Sequence, residues 1–521
     1  MNLRPHLVAT AMLSLTLSVA ALPATAHAAP VCGGMNDFDG DRNKDVVVGS
    51  PNATVGGVSQ AGRVQVRLSA GGVINLTAPG VPRAGDHFGA SVGDVDLSSG
   101  SDALNSCSSL VVGAPGQDVN GEVDAGAVYV YPTLSSAPTR LDQDFNEEAP
   151  GVQARAHFGA VITEQSTGDA EVELSRAPVL YASAPDYDLG VTTDAGVVQR
   201  VTLTMAESGR PSVASVDTIT QDAGFRSSAE TGDRFGAAMS ATPFPDELLV
   251  GAPGESLGGA TRAGAITFWT PTTVQYLHQD SPGIPGVAET GDAFGATVFL
   301  GSEVDMAAQA IGEDQAMRLF VGAPLEDVNG SADAGGLTQL VLDPPLGQGT
   351  HSKVVVSGAR TWTQDSLGVA GGSEPGDRFG TSVQALDLQP SDNETGATVP
   401  DPGAPLFVAG APGEDIEGVV DAGAVLSLGE DRWYDEATPG IPGARGRGDR
   451  FGAVLGAARD FEIDAPGPGT WSRGLLVGVP CDATGDGAVV VGLPHGRVTS
   501  GTLLRPAFAD GAYGAALSAT R

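Results

Sequence analysis

Short runs of alternating apolar and polar residues recur along this chain, each bounded by glycine, proline or aspartate. Alternation of period two argues half-buried β-strands, and the bounding residues argue turns. The stretch 85–131 reads as strand, loop, strand, long acidic loop, strand. The same order returns in 232–269, with GDRFGAAMS, ELLVGAP and AGAITFW, and in 376–428, with GDRFGTSVQ, LFVAGAP and DAGAVLSL. Long apolar stripes at helical spacing are absent, so the expected class is all-β.

Two stations mark the repeat. Phe-Gly pairs stand at Phe88-Gly89, Phe158-Gly159, Phe235-Gly236, Phe294-Gly295, Phe379-Gly380 and Phe451-Gly452, with Tyr513-Gly514 as a seventh. Gly-Ala-Pro stands at Gly113, Gly251, Gly322 and Gly410, with looser copies at Gly49, Ser183 and Gly478. The spacing is roughly 60–85 residues, room for four strands with long loops. Within each unit FGASV-like segments read as the innermost strand, LVVGAP as the second, AGAVYVY as the third and a variable segment as the outermost.

The two stations are out of phase at the chain ends. The first unit has VVVGSP and AGRVQVRL but no Phe-Gly strand before them, and the last, GAYGAALSA, has that strand and nothing after it. Joined, they complete one unit, and a radial array closes well when one blade draws on both termini. The expected architecture is a seven-bladed β-propeller of four-stranded antiparallel blades. It would be closed by pairing of N- and C-terminal strands in one blade, with the final strand lying around 511–518.

This ordered pair of motifs resembles the FG-GAP repeats of the integrin α-chain N-terminal propeller and its bacterial relatives. The resemblance covers nearly all of the chain after its leader. It implies a propeller that binds calcium in some blades and serves in extracellular recognition.

Composition narrows the partners. The formal charge is −36, with the acids clustered between apolar strands. Such a surface argues against nucleic acid and against anionic lipid, and suits cations or simple solubility. The apolar share of 41% is ample for a core. Residues 1–28 read as a secretory signal peptide: Arg4 and His6, an apolar run over 7–22, then Ala26-His27-Ala28. Residues 29–521 are then one secreted propeller domain with no membrane insertion, expected as a monomer. The Ala-, Gly- and Asp-rich style suggests a bacterium with GC-rich codons. Three cysteines, Cys32, Cys107 and Cys481, allow one bridge, and the placement of Cys32 and Cys107 before second strands of neighbouring blades favours that pair.

The strongest candidate for chemistry is Asp37-Phe38-Asp39-Gly40-Asp41-Arg42-Asn43-Lys44-Asp45, directly before a strand. Oxygen donors at Asp37, Asp39, Asp41 and Asp45, with the Asn43 carbonyl, have the spacing a hard cation needs, and Gly40 permits the turn. The loop matches the calcium loop of the resembling family residue by residue; the plainer alternative is a solvated acidic turn. A second loop over 94–102 keeps the spacing, but a longer segment separates it from its strand. Asp460, Glu462 and Asp464 begin a third and lack an acid at the last position.

Loops after Gly-Ala-Pro place Asp118 and Asp124, Asp327 and Asp333, and Asp415 and Asp421 in equivalent positions. They are either a binding surface or the chemistry of a turn. Gly89-Ala90-Ser91-Val92-Gly93 spells a hydrolase elbow inside a repeat strand, and Arg447-Gly448-Asp449 spells an integrin-binding tripeptide inside a common turn; both are read as products of the repeat. The functional expectation is a recognition, adhesion or scaffold module for an extracellular protein or glycan. The alternative is an extracellular hydrolase or lyase that uses the propeller funnel.

Overall fold

The computed structural model describes residues 36–41, 43–69, 71–97, 107–145, 151–165, 177–222, 228–241, 246–302, 317–343, 353–366, 371–386, 406–429, 432–458, 474–481, 487–492, 500–504 and 514–517. Residues 1–28 and Cys32 lie outside them.

The chain opens with β1 (Val46–Ser50), β2 (Arg63–Arg67) and β3 (Val73–Leu76). Blade one follows as β4 (Ser91–Val95), β5 (Ser109–Ala114), β6 (Ala127–Tyr131) and β7 (Thr139–Leu141). Blade two is β8 (Ile162–Glu164), β9 (Val179–Ala184), β10 (Val197–Met205) and β11 (Pro211–Ile219). Blade three is β12 (Ala238–Ala241), β13 (Leu248–Ala252), β14 (Ala265–Trp269) and β15 (Val274–Leu277). Blade four is β16 (Thr297–Ser302), β17 (Met317–Ala323), β18 (Gly336–Leu342) and β19 (Val354–Trp362). Blade five is β20 (Ser382–Leu386), β21 (Leu406–Ala411), β22 (Ala424–Ser427) and β23 (Trp433–Tyr434). Blade six is β24 (Val454–Ala458), β25 (Gly474–Gly478), β26 (Ala488–Gly492) and β27 (Ser500–Leu504), and β28 (Ala516–Leu517) ends the series.

The expectation of a seven-bladed propeller closed by pairing of N- and C-terminal strands in one blade is corrected here. Among the described residues, six blades are drawn whole from four strands consecutive in the chain, all antiparallel. The remaining sheet, in the order β28, β1, β2, β3, has three N-terminal strands and a two-residue fourth. Of the expected 511–518 strand, only Ala516 and Leu517 pair with β1, opposite Gly49 and Val48. Tyr513 lies outside the described residues, and Gly514 donates its amide to Gly49 O at 3.1 Å. The inner edge of the N-terminal sheet is therefore patched rather than lined; β28 also lies against β24 and β4.

The core lies between neighbouring sheets. Each Phe-Gly phenylalanine, at 88, 158, 235, 294, 379 and 451, is fully buried. Val111, Val128 and Phe158 of blades one and two pack with Leu180, Val201 and Leu203, and comparable clusters fill the later junctions. Val46 and Val48 of the N-terminal sheet pack with Leu476, Leu504 and Leu517.

A second correction concerns Phe-Gly itself. It is not part of the innermost strand: blade one's strand begins at Ser91, two residues beyond Gly89. Phe-Gly instead staples a blade to the one before it. The Phe158 amide donates to Ala125 O at 2.9 Å, and Gly126 and Phe158 form a parallel bridge. A Cβ on Gly126 would lie 2.2 Å from Phe158 O, and its φ is +90°. Only glycine allows that approach. The equivalent Phe-to-Ala bonds are 2.9–3.2 Å at Phe88, Phe235, Phe294, Phe379 and Phe451. Gly-Ala-Pro completes the seam: Gly89 donates to Gly113 O within blade one, while Gly113 faces Gly159 O of blade two so closely that a Cβ would sit 2.1 Å away.

Candidate metal centre and loop face

The acidic loop precedes β1 and folds around its own carboxylates. Gly40, at φ +82°, turns the chain, and its amide donates to Asp37 Oδ1 at 2.7 Å. Asp41 donates its amide to Asp39 Oδ1 at 3.2 Å, and Asn43 donates to Asp41 Oδ1 at 2.8 Å. Asp45 is buried and accepts from the amides of Phe38 and Ser69, both at 2.9 Å. These bonds direct the side chains inward, as a cation loop requires.

Ligand oxygens of Asp37, Asp39 and Asp45 lie within 4.8 Å of one another. Asp37 and Asp45 are buried, whereas Asp39 is exposed and gives the cluster an opening to solvent. Burial pushes the Asp45 carboxyl up to about 7; the Phe38 and Ser69 amides oppose this, and the charges of Asp39 and Asp37 add to it. Asp39 is also raised, by burial first and then by Asp41. The three converging carboxylates form an oxygen-only donor set suited to a hard divalent cation, which would relieve their mutual repulsion.

Asp41 stands apart from this trio. Its Oδ2 accepts from the Ser69 hydroxyl at 2.7 Å, so it ties the loop to the residue beyond β2. Asn43 contributes its amide to the turn. Arg42 lies outside the described residues. Ser69 was not legible as part of this site, because it follows Leu68 at the far end of a hairpin.

The loop is also anchored to blade one. Asn36 donates its amide to Asp94 Oδ2 at 2.8 Å, Ser108 donates its hydroxyl to the same oxygen at 2.6 Å, and the Ser108 amide donates to Asp37 O at 3.0 Å. Asp94 thus serves as a buried anchor between sheets, and burial raises its carboxyl. The rest of the 94–102 candidate beyond Leu97, including Asp102, lies outside the described residues, as do Asp460, Glu462 and Asp464. Nearby, Cys107 is disulfide-bonded, whereas Cys481 is a free and exposed thiol.

The loops after Gly-Ala-Pro lie at the opposite ends of the strands, and half of their acids are turn chemistry. Asp118, Asp188, Asp327 and Asp415 each accept, through Oδ1, the amide six residues on, at 2.8–3.2 Å. Those partners, Asp124, Asp194, Asp333 and Asp421, hold φ of 51–54°. Their carbonyls accept the amides of His157, Arg234, Arg378 and Arg450 from the next blade, at 3.0–3.2 Å. Blades two and three carry an added tie here: Asp186 takes His157 Nδ1 at 2.7 Å and Arg234 Nε at 2.7 Å. Burial alone would raise the Asp186 carboxyl, but these two partners hold it below its ordinary range.

No protein-family model matches the chain. The chain is similar to Integrin alpha-PS2 of Drosophila melanogaster, with 32% identity over 133 residues. That stretch is 24% of this chain and only 8% of the relative, so the chain spans a small part of that protein. Together with the blades, it supports an integrin-alpha-like propeller.

Two suggestive motifs are absorbed by the fold. Ser91 donates its hydroxyl to Gly159 O at 2.7 Å, and its repeat equivalent Ser382 does the same to Gly452 O at 2.7 Å. Asp449 of Arg447-Gly448-Asp449 is buried, and its Oδ2 accepts the Gly446 amide. That carboxylate is turned into its own turn and away from a partner. Among the described residues no helix is long and apolar enough to cross a membrane.

Proposed function

We propose that this chain is a secreted, calcium-stabilised recognition or scaffold module whose partner is an extracellular protein or glycan. The observation that carries the reading is the convergence of Asp37, Asp39 and Asp45 in one loop of an integrin-alpha-like propeller. Asp37, Asp39 and Asp45 would hold the ion directly, with Asp41 and the Asn43 carbonyl as the remaining members of the expected set. The ion would supply positive charge where the fold gathers negative charge, and so fix the loop against β1 and blade one. The leader-like 1–28 segment supports export. The partner surface on this reading is the face bearing Val123, Val191 and the outer acids, where side chains at the loop tips stand exposed.

Calorimetric titration with calcium tests the metal, using Asp39→Ala with Asp45→Ala as the comparison. Retention of secreted and surface material on the immobilised protein, measured beside turnover of a panel of extracellular polymers, tests the role. Turnover without retained partners would favour the hydrolase or lyase reading.

A further inference from the structure

Three successive blade junctions share a buried polar device. A glutamine just beyond the outermost strand of one blade meets a glutamate just beyond Gly-Ala-Pro or its copy in the next. Gln221 meets Glu255 Oε2 at 2.7 Å, Gln279 meets Glu326 Oε2 at 2.6 Å, and Gln364 meets Glu414 Oε2. The glutamines are 1–5% exposed. Beside each glutamate lies the buried aspartate of the Gly-Asp-x-Phe-Gly turn, Asp233, Asp292 or Asp377, whose Oδ2 accepts the amide three residues back at 2.6 Å.

In each contact as placed, the glutamine Nε2 donates to the glutamate Oε2. In each, the other amide oxygen, Oε1, is buried without a donor. Turning the amide over lets its oxygen accept from a protonated glutamate and presents the NH2 group where the oxygen lacks a donor. Asp233 Oδ1 likewise has no donor, an unfavourable state for a buried carboxylate.

The surroundings point the same way. Asp292, Glu289 and Asp327 face Glu326, with Gln279 as the neutral partner. Asp377, Glu374 and Asp415 face Glu414, with Gln364. Glu255 and Glu230 face Asp233, with Gln221. The charges that act most on these groups are therefore carboxylates. Gly371 closes over one pair: a Cβ there would lie 3.6 Å from both Gln364 Nε2 and Glu414 Oε1.

We propose that Glu326 and Glu414 are held as neutral carboxylic acids bonded to the glutamine of the preceding blade, and that losing these protons loosens two consecutive junctions, a pH-sensitive latch built into the propeller. Burial, with the neighbouring carboxylates, pushes Glu326 and Glu414 up to about 7, Asp233 to about 7, and Asp292 and Asp377 to about 6. An unfolded glutamate titrates near ~4.3. The native state thus binds more protons between about 4 and about 7, so stability is full below that window and is lost as pH rises through it.

The test uses the full chain at constant calcium. Melting temperature measured from pH 5 to pH 8 should fall by several degrees for the natural protein. The E326Q/E414Q variant, which keeps an uncharged amide at each position, should lose at least half of that fall. Infrared titration of the natural protein gives a readout that does not depend on the variant folding: protonated carboxyl bands should be present at pH 6 and vanish by pH 8.5. An equal slope in both proteins overturns the proposal, as does the absence of a protonated band at pH 6. Potassium or calcium that restores the natural protein at pH 8, but not the variant, would overturn it in favour of a cation in place of the proton.

Discussion

The amide of His157 donates to the carbonyl of Asp124 across a blade boundary at 3.2 Å, and both residues hold φ in the left-handed region, at 55° and 54°. Neither is glycine, so each carries backbone strain on the order of 1–2 kcal/mol that the junction must offset. The same partnership recurs between Asp194 and Arg234, Asp333 and Arg378, and Asp421 and Arg450. The seam between blades is thus a backbone device, repeated with the blades.

Gly126→Ala should strike this seam. Its Cβ would meet Phe158 O at 2.2 Å and Phe158 N at 2.3 Å. Strain and overpacking together predict a loss of about 3 kcal/mol or more in urea unfolding. Gly121→Ala is the control. It has a similar φ of +96° with nothing within 4 Å, and should lose only about 1 kcal/mol. Equal losses would show that the close approach at Gly126 is unimportant.

Calcium should raise the melting temperature, because it binds the folded loop and not the unfolded chain. At a hundredfold excess over Kd the gain is about 2.7 kcal/mol. Asp39→Ala with Asp45→Ala should abolish the chelator-sensitive shift. Asp41→Ala should reduce it less, since Asp41 is engaged by Ser69. A larger effect from Asp41→Ala than from the double variant would relocate the ion.

Much of this was legible in the chain. Phe-Gly and Gly-Ala-Pro or its looser copy mark every full blade, and the calcium-type spacing located three carboxylates that do converge. The role of Phe-Gly was not legible, because FGASV alternates like a strand while Gly89, at φ +90°, ends the regular backbone before Ser91. Left-handed arginine before Phe-Gly, at Arg234, Arg378 and Arg450, leaves no sequence signal, since arginine rarely adopts that conformation. Asp94 looked like a first ligand, but its partners Asn36 and Ser108 come from segments 58 and 14 residues away, and spacing within one loop cannot show them.

Asp186 should give the protein a dependence on acid. The hydrogen bonds from His157 and Arg234 hold its folded carboxyl below the unfolded value. Its contribution is present above the unfolded value near ~3.9 and is lost as pH falls through the lower folded one. Both partners are partly exposed, at 37% and 50%, so Asp186→Asn should cost only about 1 kcal/mol at neutral pH. Acid unfolding curves of the two proteins should converge at the lowest pH.

Cys481 should react with a thiol reagent in the native protein, whereas Cys107 should resist until reduction. Peptide mass mapping after stepwise alkylation reads both. Reduction should lower stability by about 2–4 kcal/mol. A native protein that took up no label at Cys481 would remove the free thiol.

The seam has a consequence for how such a protein can diversify. The backbone part of the seam is made of amides, carbonyls and the absence of a side chain at glycine; it makes no demand on which side chains stand at the loop tips. The side chains of Val123 and Val191 point out from it, the residues 54% and 98% exposed. Substitutions at those tips alter what the rim displays and leave the joint as it was. Descendants of one ancestral chain can therefore acquire new partners while inheriting the same assembly, and two such proteins with unrelated ligands should still be recognisable by their glycines.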